Sequence, residues 1–266
     1  MGKLGMLIVH GQGSPEASYA DRLTRRLSAR LKEQWDDVEF RACHWSPILQ
    51  QQQDRTWDRL RKNGNMGFKP VRRWVLSNLG DPACYLAGFF REDPPIYKQI
   101  HETVRGSLAE IENKIGGAAP LMVLAPSLGS IIVSNYFWDE SHGHRIGQTP
   151  FQRMETLTSL ITYGSTIPLF LPPTEPIQCI EFPSPQLPPH LRPVARWTNV
   201  FDSQDLLGYP LNDIWDEKHG TKIDDQTIDA GPLLVSWTPF SHNFYEEDDD
   251  FLKIVTDQVR AILAIP

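Results

Sequence analysis

Short apolar runs recur along the chain, separated by stretches whose apolar residues return every three or four positions. Leu4–His10 is the first run and predicts a strand. Glu16–Gln34 follows, with Leu23, Leu27 and Leu31 falling on one side of a helix. Val38–Trp45 predicts a second strand, Pro95–Ile115 a long helix, Leu121–Leu124 a strand that leads into a helix from Ser130, Leu157–Tyr163 and Arg196–Phe201 two further strands, and Asp249–Ala264 a final helix. Strands that alternate with helices imply a mostly parallel sheet covered on both faces, the α/β class. No internal repeat interrupts this order.

Two segments break the alternation. Residues 46–93 carry a run of four glutamines, tryptophans at 57 and 74, and several Gly and Pro breaks, which predicts helical and loop material laid over the sheet. Residues 168–193 hold nine prolines, too many for a sheet interior or a helix, and predict a rim or covering excursion. At 266 residues with 40% hydrophobic content the chain is expected to fold as a single α/β domain over 1–266, with both segments as additions to it.

Charge and cysteine usage narrow the partners. The net charge is −7, and acidic and basic residues look interspersed apart from the acidic run Glu246–Asp250, so no basic face for nucleic acid or anionic lipid is expected. Cys43, Cys84 and Cys179 are odd in number and lack a C-x-x-C spacing, which argues against a disulfide framework or a zinc site. The amino terminus lacks a secretory signal, Met6 stands where myristoylation needs Ser or Thr, and no segment approaches the roughly 18 apolar residues of a membrane span. A cytoplasmic location follows as the expectation. Nothing in the sequence fixes an oligomeric state.

The stretch "LMVLAPSLGSIIVSNYFWD" puts Ser127 on the turn between a strand and a helix, flanked by the small residues Ala125 and Gly129. So abrupt a switch needs small neighbours and pushes the serine side chain out at the carboxyl end of the sheet. Ser127 as the N-cap of the following helix is the plain alternative. Three other segments offer partners. "LIVHGQG" places His10, Gly11 and Gln12 after the first strand, where glycines leave backbone N–H groups free to face an anion. "WTNVFDSQDLLGYPL" places Asp202 and Asp205 after a later strand, and "TPFSHNFYEED" places His242 shortly before the last helix.

Ser, Asp and His in that order, with a strand-turn-helix serine, resemble the α/β-hydrolase fold and within it the serine esterases and lipases. The resemblance spans nearly the whole chain. It departs from the usual G-x-S-x-G elbow at Ala125, where the first glycine is common. It implies Ser127 as nucleophile, His242 as base, and backbone N–H groups of Gln12 and Leu128 as the oxyanion pocket. Between the two aspartates it favours Asp205, leaving Asp202 as a turn or supporting residue and alternative acid. His10 and Gly11 are expected to shape the first loop. Ser165, which also follows a strand but precedes no helix, is expected to line the site.

The implied activity is cleavage of a carboxylic ester, thioester or lipid ester through an acyl-enzyme, with a small acyl substrate and neither cofactor nor metal. A hydrolase-fold protein that binds without catalysis, or that transfers the acyl group to another acceptor, is the alternative. His142 and His144 in "SHGHR" mimic a metal pair but lack a third ligand and read as a polar loop. Trp45, Trp57, Trp74, Phe89, Phe90 and Tyr97 suit an apolar acyl pocket or the packing of a helical layer equally well.

Overall fold

Among the described residues, six strands form one sheet: β1 (Leu4–Val9), β2 (Val38–Cys43), β3 (Leu121–Pro126), β4 (Leu157–Tyr163), β5 (Arg196–Phe201) and β6 (Ile223–Thr227). They lie in the order β2-β1-β3-β4-β5-β6, and every pairing is parallel. The structure, a computed structural model, describes residues 3–13, 15–63, 66–86, 95–171, 177–216, 220–231, 242 and 244–265.

The helices divide between the two faces. Alternation along β1 shows how: Leu7 and Val9 join one core, Leu4, Met6 and Ile8 the other. The first core also takes residues from α2 (Pro47–Asn63), α3 (Lys69–Leu86), α4 (Pro95–Ile115) and α5 (Leu128–Ser141). The second is closed by α1 (Asp21–Leu31) and α6 (Asp249–Leu263). Both faces of β1, β3 and β4 are therefore buried, which is why β1 and β3 read as nearly continuous apolar runs and β4 as apolar residues broken only by Thr158, Ser159 and Thr162.

The structure refines the sequence reading and in places departs from it. The first helix is shorter than Glu16–Gln34 and continues as a 3₁₀ turn over Lys32–Asp37. Segment 46–93 holds two well-formed helices, α2 and α3, which pack as a hairpin: Arg73 bonds Asp54 (3.1 Å) and lies over the Trp57 ring. Among its described residues the proline-rich segment carries 3₁₀ turns at Ile167–Phe170 and Arg192–Val194. Strand β6 was not anticipated. Its sequence, IDDQT, has one buried apolar residue and lies at the sheet edge, where polar side chains face water.

No helix among the described residues is long and apolar enough to cross a membrane.

Candidate active site

Parallel strands bring the ends of β1, β3, β4 and β5 to one edge of the sheet, and the sequence-predicted residues gather there. Ser127 links β3 to α5 with φ 48° and ψ −125°. A serine in that region costs on the order of 1–3 kcal/mol and persists only where its surroundings dictate it. The surroundings are tight: the Ser127 N–H bonds Tyr163 O (3.0 Å), and a Cβ on Gly129 would stand 2.8 Å from Val9 O and 2.9 Å from His10 O. Ser127 occupies the N-cap position of α5, yet its side chain makes no capping bond. Its Oγ is buried and has no hydrogen-bond partner among the described residues. Capping therefore does not account for this serine.

The loop after β1 passes directly over Ser127. A Cβ on Gly11 would lie 2.9 Å from Ser127 Cβ, so no other residue fits at that approach. His10 fixes the loop. Its Nε2 accepts from Ser46 N–H (3.3 Å), which leaves Nδ1 to donate to Gly11 O (2.7 Å), and its ring stacks on Trp45 at 4.4 Å. Burial pushes the His10 pKa down to about 3, against the smaller opposing effect of the Gly11 bond, so the ring is neutral. The N–H groups of Gln12, in this loop, and of Leu128, the first residue of α5, have no acceptor among the described residues.

His242 donates from Nδ1 to Asp205 Oδ2 at 2.8 Å, because a carboxylate only accepts. Its Nε2 is buried and has no hydrogen-bond partner among the described residues. Gly164, at φ 50°, lies against the imidazole: a Cβ there would come within 3.0 Å of His242 Nδ1 and Cε1. Asp205 Oδ2 also accepts from the Tyr245 hydroxyl (2.8 Å), and Oδ1 from Leu207 N–H (2.9 Å). Burial alone would raise the Asp205 pKa, but these bonds and the histidine outweigh it and hold the carboxyl below its ordinary value.

Asp202 is placed differently. Both its oxygens serve backbone groups, Oδ1 accepting from Gln204 N–H (2.7 Å) and Oδ2 from Ala230 N–H (2.9 Å). Its own N–H donates to the Tyr245 hydroxyl (2.9 Å), so Tyr245 ties the two aspartates together.

Gly11, Gln12, Ser127, His242, Tyr245 and Glu246 are among the residues around one cleft of about 230 Å³. Glu246, the first residue of the acidic run Glu246–Asp250, accepts from the Tyr163 hydroxyl (2.6 Å), and burial raises its pKa. Tyr245, Tyr163 and Gly164 carry no motif that marks them. Their roles arise from contacts across 35 or more residues, and only the closeness of Tyr245 to His242 in sequence hints at one.

Ser165 does not line the cleft, contrary to expectation. It is wholly buried, and its Oγ lies 2.8 Å from Ser130 Oγ in a network that ends on Ser127 O. Trp45, Trp57 and Tyr97 are buried in packing and are not among the residues that line the cleft, Trp45 standing behind His10; Phe89 and Phe90, and the side chain of Trp74, lie outside what is described. Among the described residues no group of three His, Cys, Asp or Glu side chains could hold a metal ion. His142 is exposed and stacks on Trp138 at 3.7 Å.

No family model matches the chain, and no curated protein does. The functional reading therefore rests on the cleft itself.

Proposed function

We propose that this protein is an α/β-hydrolase-fold serine hydrolase that cleaves carboxylic esters through an acyl-enzyme. One observation carries the reading. Ser127 Oγ and His242 Nε2 are both buried, both lack a hydrogen-bond partner among the described residues, and their residues line one cleft, while Asp205 occupies the other nitrogen of His242. Polar atoms left unpaired at such a place cost stability, and a reaction is the simplest reason to keep them.

In this reading Asp205 holds hydrogen on Nδ1, so Nε2 presents its lone pair to Ser127. The serine proton moves to Nε2 as Oγ bonds the acyl carbon, and the carbonyl electrons move to oxygen. The N–H groups of Gln12 and Leu128 hold that oxyanion, each contributing about 3 kcal/mol in comparable sites. Histidine then gives its proton to the departing alcohol. Water repeats the sequence on the acyl-serine and frees the acid. The parallel sheet with helices on both faces, and a serine at the carboxyl end of a central strand, support the hydrolase fold.

Turnover of a short-chain aryl ester tests the proposal. Ser127→Ala should abolish it while the thermal transition stays in place; a variant that keeps the wild-type rate would remove Ser127 from the mechanism.

A further inference from the structure

The hairpin of α2 and α3 carries a charge opposite to that of the rest of the molecule. Between Asp54 and Arg73 the sequence holds seven Lys and Arg residues against two Asp, a surplus of +5. The whole chain is −7, so the remainder is −12. The expectation of interspersed charge therefore fails here.

On α2, Arg55, Arg59 and Lys62 recur at intervals of four and three and form one stripe. All three are exposed, as are Arg61 and Lys69, and none of the five has an ion-pair or hydrogen-bond partner among the described residues. Next to these cations stand two of the large apolar side chains exposed on the described surface, Phe68 at 82% and Leu60 at 43%. Phe68 also has φ 54°, a conformation strained for a bulky residue, and its carbonyl accepts from Arg72 N–H (3.0 Å). Core packing explains neither the strain nor the exposure.

The hairpin grows from the edge of the sheet that holds the cleft. β2 ends at Cys43, Trp45 Nε1 donates to His10 O (3.0 Å), Ser46 N–H reaches His10 Nε2, and α2 begins at Pro47. A surface that received the hairpin would thus lie on the side of the molecule that carries Ser127.

We infer that the α2–α3 hairpin is a docking surface for an anionic membrane. Such a surface supplies both things the hairpin asks for: negative headgroups for five unpaired cations, and an apolar layer for Phe68 and Leu60. The net negative body is repelled at the same time, which orients the hairpin toward the lipid. A nucleic acid duplex meets the cations but gives Phe68 nothing to enter. This inference does not depend on the activity of the cleft.

Co-sedimentation of the full chain with phosphatidylcholine vesicles, and with vesicles in which 30% is phosphatidylglycerol, tests it. At about 150 mM salt, close to physiological ionic strength, the wild type should bind the anionic vesicles on the order of 100-fold more tightly than the neutral ones. Arg59→Gln with Lys62→Gln should lose most of that preference, since each cation near such a surface contributes roughly five-fold. Phe68→Ser should weaken binding several-fold and leave the molecule more easily released by salt. All these positions are exposed, so the variants should keep the wild-type melting temperature. Equal binding to both vesicle types would overturn the inference, as would anionic binding that neither variant changes. A single-stranded oligonucleotide bound more tightly than the vesicles, with the same dependence on Arg59, Lys62 and Phe68, would assign the surface to nucleic acid instead.

Discussion

His242 Nδ1 lies 2.8 Å from Asp205 Oδ2, while Asp202, three residues earlier, turns both its oxygens to backbone N–H groups. The two aspartates come from one turn after β5 and are both buried, yet only one reaches the histidine.

Replacement by asparagine should separate them. Asp205→Asn keeps size but allows the imidazole to place hydrogen on Nε2, so kcat for an ester should fall by a factor on the order of 10⁴. Asp202→Asn should leave kcat nearly unchanged and lower stability by about 1–3 kcal/mol, because an amide cannot serve both Gln204 and Ala230 as an acceptor pair. Steady-state kinetics beside denaturant unfolding checks both, and a deeper rate loss at Asp202 would exchange the roles.

Tyr245 holds this arrangement from behind, giving its hydroxyl hydrogen to Asp205 and accepting from Asp202 N–H. Tyr245→Phe strands that buried N–H and should cost about 1–3 kcal/mol in unfolding free energy. The bond between Asp205 and His242 survives, so kcat should drop by less than roughly 10-fold against the 10⁴ of Asp205→Asn. A loss as deep as that of Asp205→Asn would mean that the tyrosine, not the carboxylate alone, sets the imidazole.

The neutral, buried His10 predicts a particular acid sensitivity. Its pKa is near 3 in the fold and near 6.5 in the unfolded chain, so the unfolded state binds the proton first. Stability is full above pH 6.5 and is lost progressively as pH falls toward 3. By linkage His10 alone should remove about 2 kcal/mol between pH 6.5 and pH 5. Unfolding free energies of the wild type and of His10→Gln at those two pH values check this; the variant should lose correspondingly less. Identical slopes would show that His10 is accessible to protons in the fold.

The legible and illegible parts of the chain differ for physical reasons. β1, β3 and β4 are packed on both faces, so β1 and β3 are almost wholly apolar, β4 admits only the small polar residues Thr158, Ser159 and Thr162, and each strand stood out. β6 is an edge strand whose Asp225 receives the N–H groups of Leu211 and Asn212, an arrangement that looks like loop chemistry in sequence. Ser127, His242, Gly11 and the aspartates were visible because a strained turn, a tight loop and titratable residues after strands are local features. Choosing between Asp202 and Asp205 by local reasoning alone was not possible, since Ala230, Tyr245 and His242 come from distant segments. Ser165 misled for the same reason: its Oγ is taken by Ser130, and no local pattern marks that contact.

The central claim is an activated Ser127. Labelling with a fluorophosphonate probe, followed by peptide mass spectrometry, measures it without knowledge of the natural substrate. A single modification at Ser127, abolished in Ser127→Ala and slowed on the order of 10³-fold or more in His242→Ala, is the predicted result. Wild-type protein that remains unlabelled, or label found on another serine, would contradict the account.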